Sequence, residues 1–419
     1  MSVTILTTAK AHTPAYNNQF LVASSTNSGQ TNFKYVVTIQ INDGYYDADV
    51  TLKIPARPDN SKLYFNPQKI VESKIKSYFD TTALDFFNAS FDVPSAFKKV
   101  TVGVDEEYGS PVSGFGGASA SYYVWNGAYD SVDFANYTYS VGTAAKDLTL
   151  SPSLTDTIHM NQKYLYKSWN RGFSSRDLRY MVITAFNSAG TPIQETVIEN
   201  VFYNTVASPT SYWRNYVTLN CSPYGLNNFA GSVISQTNPG DPIIPLLTTQ
   251  YAFYFYSVAP ILSNISSSLN TVNIDSFCSK YSRYVLHFLN KLGCYDSFTF
   301  NLVHRSSTEK DTDSYKQIPY TLDGSNYYRY ESYTGDTIIY NTVLKNKMTL
   351  NSNWIIDSQA TWLRDLIMSP DIKLEAEDGS LISVVCTLKN YETKQQVNDK
   401  LFNITIEVEN SLQDVRQRA

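Results

Sequence analysis

Residues 278–300 read CSKYSRYVLHFLNKLGCYDSFTF, and the fold of the chain is predicted outward from this stretch. Between residues 280 and 289, large apolar side chains fall on both sides of a two-residue period, which is typical of a strand covered on both faces. Residues 290–293, Asn-Lys-Leu-Gly, interrupt the run with turn residues, and an aromatic strand resumes at Tyr295. The stretch therefore predicts a β-hairpin with a loop of four or five residues.

The composition of the whole chain favours β-structure as well. Among 419 residues, 33 are tyrosine and 21 are phenylalanine, so aromatic residues make up 14% while charged residues make up only 17%. Aromatic side chains fit a pleated sheet, and tyrosine is enriched in protein contact surfaces. We therefore expect β-domains with tyrosine-rich contact surfaces, about two to four of them at the usual size of roughly 100–200 residues.

Charge, apolar runs and cysteine spacing exclude several classes of protein. A net charge of −5 offers no basic field to a phosphate backbone, so we expect no nucleic-acid sequence recognition. No apolar run reaches the ~18 residues of a membrane helix, so we expect no membrane span. The beginning of the chain lacks the basic and apolar regions of a signal peptide, so we expect synthesis in a cytoplasm. The four cysteines show no C-x-x-C spacing, which argues against a disulfide framework or a zinc site.

Breaks in the hydrophobic pattern predict the domain organisation. The fold class that we expect is mainly β: tandem antiparallel β-sandwich-like domains with a few short helices, a β-rich α+β chain. A proline-rich segment at residues 239–245 reads as a linker, because proline lacks the N–H group that a central strand needs. The predicted segments are an N-terminal arm at residues 1–18, an N-terminal β-rich domain at 19–150, a middle β-sandwich-like domain at 151–245, and a C-terminal β-rich domain at 246–419 with one short helix near 358–368.

Local patterns predict several individual elements. Apolar residues alternate along residues 33–41 and again along 50–54, which predicts a half-buried antiparallel pair. Asn66 and Pro67 predict the start of a short helix that reaches Phe79. Residues 178–203 predict a second hairpin. The segment GSPVSGFGGASAS at 109–121 predicts a mobile or contact loop; it lacks the Gly-Lys-Ser/Thr sequence of a phosphate-binding loop.

No arrangement of residues predicts a catalytic, cofactor or metal site. None of the four histidines has metal-ligand spacing, and the G-x-S-x-G motif of a serine nucleophile is missing from the sequence. Asp105, Glu106 and Glu107 are adjacent, but neighbours in a strand point to opposite faces, whereas a glycosidase pair must face one cleft. We expect Glu106 to point inward and accept hydrogen bonds. For Asp296 we expect a structural role, in which its carboxylate accepts backbone N–H bonds and fixes the hairpin loop.

The hairpin also resembles a stretch of known proteins. Its residues match the pattern "LNRLGG-aromatic-D-x-F-x-F" found in tail structural proteins of Bacteroidetes phages and prophages, including crAss-like phages. Two further parts of the chain are similar to that family: Glu106-Glu107-Tyr108, and the series from Trp354 through Trp362 to Ser369-Pro370. The matching hairpin residues are Asn290, Leu292, Gly293, Asp296, Phe298 and Phe300.

The resemblance implies a non-enzymatic virion protein. Such a tail or tail-hub subunit is made in the bacterial host cytoplasm and needs no cofactor. We expect it to form a homo-oligomeric ring and to dock other tail or portal-proximal proteins. The alternative is a carbohydrate-binding receptor-recognition protein or a glycan-cleaving tail protein, because aromatic faces also stack on sugar rings. The aromatic residues that would make such contacts, or would instead lie in the core or an interface, are Trp125, Tyr129, Tyr327, Tyr328, Tyr330 and Tyr333.

Overall fold

A computed structural model of the chain shows a mainly β protein with a few short helices, which confirms the predicted fold class. Contacts between residues divide the chain into two compact units. Unit 1 comprises Met1–Phe277 and Leu289–Ser297, and unit 2 comprises Cys278–Phe288 and Phe298–Ala419. The structure describes residues 2–42, 47–77, 79, 96–135, 156–160, 162–169, 180–199, 216–229, 231–256, 269–275, 280–319, 321–329, 333, 335–388 and 401–415.

The elements before the hairpin all belong to unit 1. Its helices are α1 (Gln68–Glu72), α2 (Ser131–Ala135) and α3 (Pro223–Asn227). Its strands are β1 (Val3–Thr7), β2 (His12–Pro14), β3 (Leu21–Ser25), β4 (Lys34–Asn42), β5 (Asp47–Ile54), β6 (Leu63–Phe65), β7 (Phe97–Tyr108), β8 (Ser113–Trp125), β9 (Asp156–Ile158), β10 (Leu165–Trp169), β11 (Tyr180–Phe186), β12 (Pro192–Glu199), β13 (Tyr216–Asn220), β14 (Val233–Gln236), β15 (Gln250–Tyr256) and β16 (Asn270–Ile274).

The predicted hairpin follows and leads into unit 2. Its strands are β17 (Tyr284–Leu289) and β18 (Tyr295–Phe300). The described residues of unit 2 continue with helix α4 (Asp357–Met368) and with strands β19 (Arg305–Lys316), β20 (Thr321–Leu322), β21 (Tyr328–Arg329), β22 (Thr337–Asn351), β23 (Ile355–Ile356), β24 (Ile372–Glu375), β25 (Leu381–Cys386), β26 (Leu401–Phe402), β27 (Thr405–Asn410) and β28 (Asp414–Val415).

Two sheets enclose the first core of unit 1. A five-stranded sheet has the order β2-β8-β7-β4-β5, and a three-stranded sheet has the order β1-β3-β6. The predicted pair at residues 33–41 and 50–54 is confirmed as β4 and β5, with Val37 opposite Leu52. Alternation places Val37 and Ile39 in the core. Because Leu21 and Leu63 of the smaller sheet lie in the same core, the two sheets form a sandwich-like pair of layers.

Three N-terminal elements differ from the sequence-based expectation. Residues 1–18, expected as an arm, contain β1 and β2, and both Val3 and Ala15 are buried. The segment 109–121, expected as a loop, lies mostly in β8, which pairs with β7 along its length. In both cases the local pattern is weak, and the strand is held by pairing with another strand: β1 with β3, β2 with β8, and β8 with β7. The helix does begin after Pro67, but α1 ends at Glu72 and does not reach Phe79.

A six-stranded sheet lines the second core of unit 1. Its order is β14-β12-β11-β15-β16-β9. The hairpin predicted at residues 178–203 is confirmed as β11 and β12. The segment 239–245, expected as a linker, contributes Ile243 and Ile244 to this core, and the Asn227 side chain bonds both backbone polar groups of Ile244. The boundary predicted at residue 150 lies outside the described residues.

The main sheet of unit 2 has the strand order β18-β17-β24-β25-β27-β22-β19, and β28 pairs with part of β22. Helix α4 confirms the helix predicted near residues 358–368. Its buried residues Ala360, Leu363 and Leu366 share a core with Leu286 and Phe288 of β17. In the part of the chain that is described, no helix has both the length and the apolar character needed to cross a membrane.

Candidate interaction surface

The hairpin loop is fixed from within by one asparagine. The Asn290 side-chain oxygen accepts hydrogen bonds from the N–H groups of Leu292 and Cys294, both at 2.9 Å. The Asn290 amide group in turn donates to the Asp296 carboxylate at 2.9 Å. Both side chains are buried. Asn290 therefore binds the loop backbone, while Asp296 holds Asn290 in the orientation that makes this possible.

The same loop packs closely against the end of β8 within unit 1. Gly293 has a φ of +88°, and a Cβ atom at this position would lie 2.1 Å from the backbone oxygen of Asn126. The Leu292 carbonyl accepts a hydrogen bond from the Trp125 indole at 3.2 Å. The Lys291 carbonyl accepts another from the backbone of Ala128 at 2.8 Å. The turn residues of the motif are thus required by backbone geometry and close packing.

The two phenylalanines of the motif belong to the core of unit 2. Phe300 is buried, and its ring lies 5.0 Å from that of Phe298. The Phe298 ring also contacts that of Trp362 on α4, at 6.1 Å. The residues that carry the resemblance therefore act in loop geometry and packing.

Glu106 is buried and bound by three donors from the N-terminal part of the chain. The hydroxyl groups of Ser2 and Ser25 and the amide group of Asn27 donate to its two carboxylate oxygens. Burial alone raises the pKa of Glu106, but these three hydrogen bonds outweigh it and hold the pKa below its ordinary value. A carboxylate held in its ionised form inside the fold is unsuited to donating a proton to a leaving group. The inward, hydrogen-bonded position expected for Glu106 is confirmed.

The two neighbouring carboxylates are bound elsewhere. Asp105 accepts a hydrogen bond from the Gly117 N–H at 2.7 Å. Glu107 forms an ion pair with Lys53 at 2.6 Å. The three adjacent acids do not converge on one cleft.

One buried pair was not predicted from the sequence. His287 in β17 and Glu375 in β24 lie 2.6 Å apart, and both are buried. The alternation of β17 was the available signal, since it places His287 on the opposite face from Leu286 and Phe288. The His287 imidazole is fully buried, so it is inaccessible to a dissolved substrate. Among the described residues, no group of three or more His, Cys, Asp or Glu side chains could hold a metal ion.

The aromatic residues singled out by sequence fall into two groups. Trp125 is only 1% exposed, and Tyr129 packs against the same core with its ring 6.4 Å from that of Trp125. By contrast, Tyr327 and Tyr333 are 72% and 81% exposed. Tyr328 lies in β21, but its side chain is not among those that the structure describes, and Tyr330 lies outside the described residues. Trp125 therefore offers no face to a sugar ring, whereas Tyr327 and Tyr333 lie at the surface.

The exposed tyrosines lie at the end of a projecting pair of strands. β19 and β22 pair antiparallel from Arg305 opposite Thr349 to Lys316 opposite Thr337. Residues 347–351 of β22 also pair with β27, and Val343 and Leu344 pair with β28. Among the described residues, 337–342 pair with β19 alone. The described residues between 312 and 342 therefore extend beyond the sheet as a two-stranded projection, called the ribbon below, whose paired part is roughly 20 Å long at about 3.4 Å per residue.

The tip of the ribbon is a small ordered hairpin. Strands β20 and β21 pair with each other, and the Asp323 carboxylate closes their turn by accepting from the N–H groups of Ser325 and Tyr327. Ile318, Leu322 and Tyr327 are exposed around it. Grouped apolar side chains at such exposure mark an interaction site in soluble proteins.

The part of the β19–β22 pair that joins the ribbon to the sheet, called its base, is charged. Lys347 lies 2.6 Å from Glu309, and Lys345 lies 3.7 Å from Asp311, so cross-strand ion pairs line one face. The hydrogen bond from Lys347 lowers the pKa of Glu309. The apolar contact area is therefore confined to the outer part of the ribbon.

No known protein-family model matches the chain, and no curated protein matches it either.

Proposed function

We propose that the chain is a non-enzymatic structural virion protein of a bacteriophage. It acts as a tail or tail-hub subunit that assembles into a ring and docks other tail or portal-proximal proteins. The observation that carries the proposal is the ribbon, which extends beyond its sheet and bears an apolar tip. The resemblance of the hairpin to phage tail proteins agrees with it.

The ribbon has the physical properties of a docking element. A two-stranded pair without a covering layer is marginally stable in water, so it gains stability when a partner covers it. Tyrosine supplies a large contact area at low loss of side-chain entropy, because only two side-chain torsions become fixed. Tyr327 and Tyr333 are highly exposed, so burying them against a partner yields a substantial apolar gain.

Two buried ionisable side chains support the same proposal. The Glu106 carboxylate binds three donors within unit 1, and His287 binds Glu375 within unit 2. Both serve the fold. The carbohydrate-binding alternative loses Trp125 to the core and rests on the tip tyrosines alone.

The test is whether the chain is a component of assembled particles. Particles should be purified from a host that carries this sequence, analysed by mass spectrometry, and imaged after labelling with an antibody raised against the chain. We expect the chain in stoichiometric amount and the label at one level of the tail. A chain abundant in infected cells but missing from purified particles contradicts the proposal.

Recombinant protein provides a second measurement. Light scattering after size-exclusion chromatography should give a multiple of the 47.2 kDa chain mass, and negative-stain images should show closed rings. A purely monomeric chain at high concentration counts against spontaneous ring formation.

A further inference from the structure

We propose that the ring contact joins the ribbon of one copy to strand β14 of a second copy. The outer edge of residues 337–342 pairs with the edge of β14 that no described strand covers, and the ribbon tip covers the apolar surface beside it. This inference rests on the proposed ring-forming function and names the two surfaces that meet.

The two edges of the ribbon differ in chemistry. Within the ribbon, β19 contributes residues 312–316, which read TDSYK and include the charged Asp313 and Lys316. Charged side chains on an edge strand oppose pairing with another chain, because pairing would remove them from water. Residues 337–342 on the other edge read TIIYNT and carry no charge. The three side chains before Tyr340, those of Thr337, Ile338 and Ile339, are all β-branched. Only this edge is chemically suited to accept a further strand.

Strand β14 is a matching edge in unit 1. It reads VISQ, carries no charge, lies at the end of the six-stranded sheet, and pairs with β12 alone among the described strands. Val233 and Ile234 are exposed, with Ile234 at 53%. By comparison, the edge strand β5 of the five-stranded sheet contains Asp47, Asp49 and Lys53. Uncharged open edges are the surfaces on which β-augmentation takes place.

The available area suits a specific contact. In the segment that leads from β14 to β15, Leu246 and Leu247 are also exposed. At the tip, the aromatic side chains of Tyr327 and Tyr333 and the aliphatic side chains of Ile318 and Leu322 are exposed. At about 150–250 Å² per aromatic side chain, the four together offer roughly 600 Å² of contact area. A standard interface buries about 800 Å² per partner, and strand pairing supplies the remainder.

The occupant is a second copy because each copy carries one surface of each kind. Such a contact is head-to-tail: the ribbon of one copy meets the edge of the next, whose own ribbon stays free. Head-to-tail contacts generate closed rings when the rotation between copies closes. A head-to-tail contact of this kind agrees with the proposed ring.

The experiment uses the full chain and two variants, each with a matched control. The ribbon variant I339K/T342K places two lysines on the uncharged edge. Its control, T312K/S314K, changes the residues directly opposite in the register, Thr342 facing Thr312 and Ile339 facing Ser314. The edge variant is Ile234→Lys, and its control is Val112→Lys, a residue of unit 1 with a similar exposure of 50%.

Sedimentation velocity distinguishes the outcomes. We expect each of the two test variants to be monomeric, with self-association weakened at least about tenfold by the desolvation of the added charge, while both controls assemble like the unchanged chain. A mixture of the ribbon variant and the edge variant should form heterodimers and stop there, because each pair retains one intact contact. Heterodimers also show that both variants are folded.

Other results overturn the inference. If the unchanged chain forms oligomers and the two variants do so equally, the contact lies elsewhere while the proposed function stands. If both variants lose assembly but their mixture yields no dimer, the two edges do not pair. If the unchanged chain is monomeric at every concentration, the two surfaces do not join copies and the inference is wrong. The presence of the chain in purified particles tests the proposed function separately.

Discussion

At the scale of single residues, the hairpin motif is explained by backbone geometry. Gly293 adopts a φ of +88°, a region that residues with a Cβ atom rarely occupy. The same position approaches the backbone of Asn126 so closely that a methyl group would clash at 2.1 Å. Both constraints act on one residue, so the glycine of the Asn-Lys-Leu-Gly turn has no substitute.

We predict that Gly293→Ala destabilises the chain by about 3 kcal/mol or more. The control is Gly190→Ala, also in unit 1, where φ is +73° but no atom lies within 4 Å of the added Cβ. The control should lose only about 1 kcal/mol from the left-handed torsion. Urea unfolding followed by tryptophan fluorescence measures both. Equal losses in the two variants would show that the contact with Asn126 is unimportant.

A second residue-scale prediction concerns Asn290 and Asp296. Asn290→Asp keeps an acceptor for the loop N–H groups but places a second carboxylate against Asp296, where the amide donated at 2.9 Å. We expect a loss of about 2–4 kcal/mol at pH 7, because two buried like charges replace a hydrogen bond. The loss relative to the unchanged chain should shrink as the pH falls, since one carboxylate of the pair then binds a proton and becomes a donor.

The exchanged variant N290D/D296N provides the control. It restores a carboxylate acceptor at 290 and an amide donor at 296, so it should regain part of the lost stability at pH 7. A double-mutant cycle over the four chains measures this coupling. Additive effects of the two substitutions would contradict the role assigned to the pair.

At the scale of elements, a glycine pair shapes the longest strand pair of unit 1. Val104 of β7 faces Ala118 of β8, and Glu106 faces Phe115, so Asp105 alone faces Gly116 and Gly117. This is a β-bulge, and bulges bend a strand locally. A Cβ atom on Gly117 would lie 1.8 Å from the backbone oxygen of Val104, whereas one on Gly116 would meet no atom within 4 Å.

We therefore predict unequal effects for two adjacent substitutions. Gly117→Ala should cost about 3 kcal/mol or more, because the clash involves backbone that cannot rotate away. Gly116→Ala should change stability by less than about 1 kcal/mol. Trp125 in the same strand reports unfolding by fluorescence. Similar urea midpoints for the two variants would contradict the bulge geometry.

The elements differ in how far the sequence predicts them. The pair β4–β5 and helix α4 follow from local periodicity, because apolar and polar residues lie on opposite faces of each element. β8 does not, since its Gly- and Ser-rich half forms a strand only by pairing with β7. For the candidate site, the sequence identified Tyr327 and Tyr333 as contact residues but grouped them with Trp125. Exposure depends on packing between elements, which residue type alone does not determine.

At the scale of the whole molecule, the hairpin links the two compact units through the chain itself. The chain leaves unit 1 after Phe277, returns to it for Leu289–Ser297, and then completes unit 2. The loop residues of the motif therefore belong to one unit while most of the flanking strand residues belong to the other. This arrangement explains why a single short motif combines turn residues fixed by backbone contacts with aromatic residues fixed by a core.

The last prediction concerns the force that drives assembly. The proposed contact joins uncharged edges and an apolar tip, in a chain whose net charge is only −5. Salt screens contacts between charges but leaves apolar burial intact, and sulfate strengthens it. Between about 0.05 and 1 M sodium chloride we therefore expect the association constant, measured by sedimentation equilibrium, to stay constant or rise, and to rise further in ammonium sulfate. Dissociation by sodium chloride would mean that ion pairs hold the copies together and that the charged base of the ribbon, with Glu309 and Lys347, is the true contact.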